Sequence, residues 1–421
     1  MEKRKMKIAF VCQPWDSFVP PVESGSIPIW TYEVIRRLKE QNCEFVVYSK
    51  QKKGLPKEEW REGILCRRVS IKLDMFSHKF IRHIPFVCSR NYPFYASMFY
   101  HPLYIRNIAR DLQGQDCDVI HVMNFSQFVP ILRAFNPDSK IVLNMRCDWL
   151  TQLPLAVGQQ RLAKTDMMMG CSDYVTHDVQ RAYPEKADRC QTVYNGVDVE
   201  NFVGRRIRKK ESDERCLLFV GRLSPEKGLH ILLEAFAQVV KRYSKVHLNI
   251  VGPESMAPID FIVNSDSDEK VRNLASFYSG SYLEHLKRQM SSEIASRVRF
   301  TGFIPHSGLN AYYDEADILI NPSFIESFGR SLIEAMACGL PVIATKIGGM
   351  PEVVEEGRTG LLVESGDVSA LTDAIVRLLE DEPLRLSMGQ AGRERVEKYF
   401  SWDAVSANLL ARYEEVMTSH V

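Results

Sequence analysis

At 421 residues the chain is longer than one ordinary hydrophobic core accommodates, so two or three domains are expected. Its 54 Lys+Arg against 53 Asp+Glu give no electrostatic case for nucleic-acid binding. No apolar run approaches the ~20 residues that cross a bilayer.

The start, MEKRKMKIAFVC, is basic and then apolar. IAFVC is too short for a signal-peptide core and is stopped by Gln13-Pro14-Trp15-Asp16, so 7–12 is read as a buried strand. An amphipathic helix is expected over 29–41, where Ile29, Tyr32, Ile35 and Leu38 recur at three-residue spacing. Further strands are expected at 44–49 (EFVVYS), 118–122 (DVIHV), 140–145 (KIVLNM) and 167–172 (MMMGCS). Short apolar runs alternating with amphipathic stretches are the βαβ pattern of a parallel sheet.

After Phe202 the composition breaks. GRRIRKKESDE (204–214) is charged, nearly free of apolar residues, and reads as a solvated interdomain linker. The strand pattern then restarts at 216–221, 246–252, 297–302, 317–323, 341–346 and 359–364, with helices over 229–243 and about 329–338 and a last amphipathic helix over 402–416. The expected architecture is α/β, with two doubly wound, Rossmann-like domains. The first spans 1–203, the second 215–398 after the linker, and a helix in 399–421 packs back toward the first. Such folds bind ligands at the carboxyl ends of the strands.

The ten cysteines form no C-x-x-C pair and never fall within ten residues of one another. Zinc sites usually need a tight pair. Several lie in or beside apolar runs, where cysteine acts as a small hydrophobe. Reduced thiols in a cytoplasmic protein are expected.

Two loops carry chemistry. GRLSPEKG (221–228) follows a strand and opens a helix. Gly221 is read as the turn residue, and Arg222 and Lys227 bring two cations to a helix amino terminus, which already favours anions. On spacing alone, a diphosphate clamp and a water-exposed turn both fit. FIESFGRSLIEAMACGLPVIAT (324–345) follows the next strand but two. Here Gly339 stops the helix, Pro341 blocks its continuation, and Leu332, Ile333 and Met336 form its buried stripe. The amides near Phe328 and Gly329 are then expected to face an anion, with Glu326 ahead of the helix and Glu334 inside it. Carboxylates on either side of a phosphate suit the hydroxyl pairs of a sugar and a ribose. A solvated helix face and an ordinary loop are the plainer account of these glutamates.

In combination and order, these segments resemble the family-four retaining nucleotide-sugar glycosyltransferases, which share the GT-B fold with glycogen synthase. The resemblance runs through the loop at 21–30, CDVIHV (117–122), GCSDYVTHDV (170–179), TVYNGVDVENF (192–202), LLFVGRLSPEKG (217–228), 324–345 and GGMPEVVEEGRTGLLVESGD (348–367). It implies a nucleoside-diphosphate sugar donor, UDP- or GDP-linked, a hydroxyl-bearing acceptor, and no cofactor or metal. It assigns Arg222 and Lys227 to the diphosphate, Glu326 to the sugar hydroxyls beside the reacting carbon, and Glu334 to the ribose. Gly221, Ser327, Phe328 and Gly329 complete the donor site, and Gly25 and Ser26 match a loop facing the donor phosphate and acceptor. Two features depart from the pattern. Ser24-Gly25-Ser26 stands where two glycines are frequent, and Arg146 stands where many members carry an acceptor-facing histidine. Arg146, Asp148 and His121 are the acceptor-side candidates, with an ion pair to Asp148 an equal reading for Arg146 and a core role open for His121.

Other readings compete. The glutamates could be a glycosidase pair, but these must face one another across about 5–9.5 Å, and a phosphate clamp would then be unexplained. A phosphorylase, a nucleotide-sugar epimerase or a non-catalytic nucleotide-sugar-binding protein would share the fold. The D-x-D pairs at 116–118 and 266–268 are discounted as metal sites. Residues 76–110 hold nine Phe or Tyr with Lys79, Arg82, Arg90, Arg106 and Arg110. Three roles fit: core packing beneath a helical hairpin, an acceptor site, or a peripheral membrane contact. The stretch 253–296 exceeds the corresponding family connection, and oligomeric state is not legible.

Overall fold

The computed structural model describes residues 4–81, 93–202, 214–264 and 266–419. Most of the expected linker, the segment 82–92 and Cys88 lie outside the described residues. The chain divides into two compact units, Met1–Tyr194 with Trp402–Val421, and Asn195–Ser401.

Eight strands form the first sheet: β1 (Met6–Val11), β2 (Cys43–Lys50), β3 (Glu58–Arg61), β4 (Ile64–Val69), β5 (Val119–Met123), β6 (Lys140–Met145), β7 (Met167–Gly170) and β8 (Cys190–Thr192). Their order is β3-β4-β2-β1-β5-β6-β7-β8. All neighbours are parallel except β3 and β4, a hairpin at the edge. Parallel strands covered on both faces read as unbroken apolar runs, and β5 and β7 are buried throughout. The hairpin escaped the sequence reading because its edge strand EEWR is short and charged, and the apolar run of β4 stops after Ile64-Leu65-Cys66 at two arginines. Strand β7 stops at Gly170 because Ser172 leaves the sheet to cap the helix Asp173–Ala182, its Oγ accepting from Val175 N at 3.3 Å.

Helix Trp402–Thr418 belongs to this unit. Trp402, Val405, Leu409, Tyr413 and Val416 pack in one core with Ile8, Trp30 and Phe45.

The second sheet has six strands: β9 (Arg215–Val220), β10 (Val246–Val251), β11 (Val298–Gly302), β12 (Ile318–Asn321), β13 (Val342–Thr345) and β14 (Gly360–Val363). All run parallel in the order β11-β10-β9-β12-β13-β14. Its core joins Leu217, Phe219, Leu248, Ile250 and Ile320 to Leu232 and Phe236 of the helix Leu229–Arg242. The order reverses between β9 and β12, paired Leu217↔Ile318 and Leu218↔Leu319. A sheet of this kind opens a crevice at that reversal. The two loops singled out in the sequence are the ones that leave β9 and β12 there.

No disulfide joins any of the nine described cysteines.

Candidate functional site

Beyond β9 the chain turns through Pro225–Lys227 into Gly228, whose φ is +69°. A side chain at Gly228 would put its Cβ 2.1 Å from the Pro322 carbonyl, so glycine is what lets the two switch-point loops touch through their backbones. Phe324 N donates to Glu226 O at 2.8 Å and ties them further. Glu226 is buried and accepts from Ser224 Oγ and, at 3.1 Å, from Arg222 Nη2. The Arg222 side chain keeps 45% of its surface exposed. Gly221 lies at the bend that directly follows β9. Among the described residues the positive φ values near this turn belong to Gly228 and Gly252.

After β12 the loop reaches Gly329, at φ +96°, and enters the helix Arg330–Ala337. Glu326 closes that helix end. Its Oε1 accepts from the amides of Phe328 (3.4 Å) and Gly329 (3.1 Å), and its Oε2 accepts from Lys227 Nζ at 2.7 Å. Burial pushes the Glu326 carboxyl up, but Lys227 and the two amides outweigh it and hold the group below the usual range. The sequence reading assigned these amides to a phosphate. In this structure a carboxylate of the same chain takes that place, and Lys227 shares it. Phe328 contributes its amide only, since its ring is buried against Phe400 at 5.6 Å. Ser327 lies half-buried between Glu326 and Phe328.

Glu334 is not on a solvated face; only 3% of it is exposed. Arg330 donates to its Oε1 from Nε (3.1 Å) and Nη2 (2.8 Å), His306 Nε2 lies 3.0 Å from the same oxygen, and Tyr313 donates to Oε2 at 2.8 Å. Burial raises this carboxyl, yet Arg330 and His306 bring it down to about 2. Both glutamates are therefore carboxylates at neutral pH, and neither is the protonated general acid that a glycosidase pair requires.

Glu226, His306, Arg330 and Tyr313 were not singled out from the sequence. Two signals pointed to them. Glu226 adjoins Lys227 in the same motif, and His306 follows β11 within four residues, where strand-end ligand groups collect. Nothing local marks Tyr313.

The stretch 253–296 forms short helices at Ile259–Ile262, Glu269–Arg272, Tyr282–Gln289 and Ser292–Ala295. It walls a cavity of about 400 Å³ with Lys270 and Phe277 facing His230, Phe324 and Gly366. Lys270 Nζ donates to Ser365 O at 2.8 Å across it. The D-x-D carboxylates have local duties: Asp116 pairs with Arg4, Asp118 accepts from Lys7 N, and Asp268 accepts from Lys270 N. Among the described residues no three His, Cys, Asp or Glu gather as a metal site.

In the first unit, Gly25 (φ +82°) precedes the helix Ser26–Leu38, and both Gly25 and Ser26 are exposed at its amino end. Arg146 lies half-buried after β6, its guanidinium 4.8 Å over the Trp30 ring and its backbone N–H donating to Asn124 Oδ1 at 2.6 Å. Asp148, also half-buried, opens the turn Asp148–Leu150. His121 is a core residue and does not face an acceptor. It is fully buried, with Nδ1 2.7 Å from Tyr413 Oη and Nε2 3.0 Å from Asn144 Nδ2.

Residues 28–201 match the family model of Glycosyltransferase Family 4, and residues 203–395 that of glycosyl transferases group 1. Bacillus subtilis (strain 168) YtcC is 27% identical over 98% of this chain and 93% of its own length. The D-inositol 3-phosphate glycosyltransferase of Corynebacterium urealyticum is 32% identical over 62% of this chain and 59% of its own. Among solved structures, sucrose-phosphate synthase from Thermosynechococcus elongatus superposes with a TM-score of 0.72 at 22% identity, covering 99% of this chain and 100% of that one. Anabaena Alr3699/HepE in complex with UDP and glucose gives 0.67 at 18% identity, covering 97% and 100%.

Proposed function

The chain belongs to the family-4 glycosyltransferases of the GT-B fold, and from that premise we propose that it moves a sugar from a nucleoside-diphosphate donor, UDP- or GDP-linked, to an acceptor hydroxyl, with retention and without a metal. The observation that carries this reading is the Lys227–Glu326 pair set against the amino end of the helix Arg330–Ala337 at the switch point. A cation, two amides and an ionised carboxylate converge there, and Arg222 stands on the adjoining loop.

Charge on the departing diphosphate is met by Arg222, Lys227 and the helix end, the preorganised kind of stabilisation that usually contributes most. As the donor enters, Glu326 turns from the Phe328 and Gly329 amides to the sugar hydroxyls and so releases those amides to phosphate. The bond from the anomeric carbon to the phosphate oxygen breaks, and the acceptor oxygen bonds to that carbon on the same face. The acceptor's proton passes to the departing phosphate, so no protein base is required. Positioning of the acceptor supplies much of the remaining acceleration. Glu334 takes the ribose hydroxyls through Oε2, which carries Tyr313's bond and has capacity for a further donor. The UDP complex of the Anabaena structure supports a nucleotide-sugar donor.

A melting panel of nucleotide sugars identifies the donor, since a ligand at 100 times its Kd adds about 2.7 kcal/mol, a few degrees at this size. Proton NMR of that donor's slow hydrolysis in EDTA then reads the first-formed anomer. Retention is expected, and the inverted anomer would overturn the reading.

A further inference from the structure

Helix Lys72–Ile81 turns its polar side to the protein and its apolar side to water. Its two buried residues are Asp74 and His78. Leu73, Met75, Phe76 and Phe80 are instead exposed, at 71%, 50%, 62% and 64%. Leu73, Phe76 and Phe80 recur at the three- and four-residue spacing that shares one face of a helix.

The helix cannot roll over to hide that face without breaking buried bonds. The Asp74 carboxylate accepts the amides of Leu103 (2.9 Å) and Tyr104 (3.0 Å) at the start of the helix Pro102–Leu112. His78 accepts from His101 N at 3.3 Å and stacks on Tyr100 at 5.0 Å. Met98, Phe99 and Leu103 are exposed as well, at 40%, 51% and 40%. The structure thus splits the aromatic stretch: Tyr95, Tyr104, Ile105 and Ile108 are core, while a second set faces outward.

The exposed charge on these two helices is of one sign. Lys72, Lys79, Arg106 and Arg110 are exposed, Asp74 is buried, and Asp111 is engaged by Arg67 and Tyr48. We propose that this face docks flat on the surface of a bilayer containing anionic lipid. Leu73, Phe76 and Phe80 enter the boundary between headgroups and acyl chains, and the lysines and arginines meet the headgroups. Ten residues of helix span ~15 Å, half the ~30 Å hydrocarbon core, so the helix lies on the membrane. A second copy is a poorer occupant, because a two-fold contact would set like charges against each other. The inference is independent of the donor chemistry proposed above.

The test is flotation of the full chain with phosphatidylcholine vesicles, with and without phosphatidylglycerol. Binding to the mixed vesicles is expected, weakening at high salt. Phe76→Ser with Phe80→Ser should lower it about tenfold or more, and Lys72→Gln or Lys79→Gln about fivefold each. These side chains are exposed, so unfolding temperatures should match the wild type and show that the variants fold. Equal binding to neutral vesicles, or binding unmoved by the phenylalanine variant, would overturn the proposal. So would a wild-type dimer that the same variant dissociates, with no vesicle binding.

Discussion

Glu326 and Glu334 are both ionised, but different partners hold them, and that difference predicts how each substitution behaves. Glu334 is built into the fold. With its carboxyl lowered from 4.5 to about 2, it contributes stability that is fully present above about pH 4.5 and is lost as pH falls toward 2. The amount is on the order of 3 kcal/mol. Glu334→Gln should therefore be less stable at pH 7 and lose less on acidification; chemical denaturation at several pH values reads both. If Glu334 also holds the ribose, its bonds are equal in ground and transition states, and the variant's donor KM should rise while turnover is kept. If Glu326 stands beside the carbon where positive charge develops, as proposed, Glu326→Gln should lower turnover with little change in donor affinity. Steady-state kinetics with calorimetric donor affinity separates the two; one shared profile would dissolve the division of roles.

At the scale of elements, the site depends on loops that touch through bare backbone. Gly228 and Gly357 have similar φ values, +69° and +74°, but an added Cβ at Gly228 strikes Pro322 while one at Gly357 meets nothing within 4 Å. Gly357→Ala should cost only the strained conformation, about 1–2 kcal/mol. Gly228→Ala should cost more and also depress turnover by shifting the loop that carries Lys227; equal melting temperatures for the two variants would sink this account. The sequence made the positions of these loops legible, because unbroken apolar runs mark buried parallel strands and GRLSPEKG and FIESFG directly follow two of them. It did not reveal that Glu326 would close its own helix end. That bond requires the loop to fold the Phe328 and Gly329 amides, two and three residues on, back onto the Glu326 side chain, which spacing alone does not specify. Around buried Glu334, Arg330 is an i,i+4 neighbour on the same helix, whereas His306 and Tyr313 were hidden because they come from two other elements and meet it only once the sheet forms. The hairpin β3–β4 was missed because β3 is a short charged edge and the apolar run of β4 is only three residues long.

At the scale of the whole molecule, both sheets were readable from alternation, and the return of helix Trp402–Thr418 to the first unit gives that unit a core drawn from both ends of the chain. Leu409 is fully buried there, so Leu409→Ala should destabilise by about 2–5 kcal/mol. Two unfolding transitions with only the one from the first unit lowered would locate the effect; a loss confined to the other unit would contradict the assignment. His121 illustrates the limit of reading from sequence: strand ends attract ligands, yet this one is held between Asn144 and Tyr413, a partner 292 residues away.

The central claim is that the diphosphate of a nucleotide sugar is held by this chain's own cations, Arg222 and Lys227. Calorimetric titration of UDP and GDP into the wild type, Arg222→Ala and Lys227→Ala, all in EDTA, tests it most directly. The account predicts that one of the two nucleotides binds the wild type without metal and that each variant loses about 1.5–3 kcal/mol of that affinity, the range for charge-assisted hydrogen bonds. Affinity unchanged in both variants, or binding that appears only when Mg²⁺ or Mn²⁺ is restored, would contradict it.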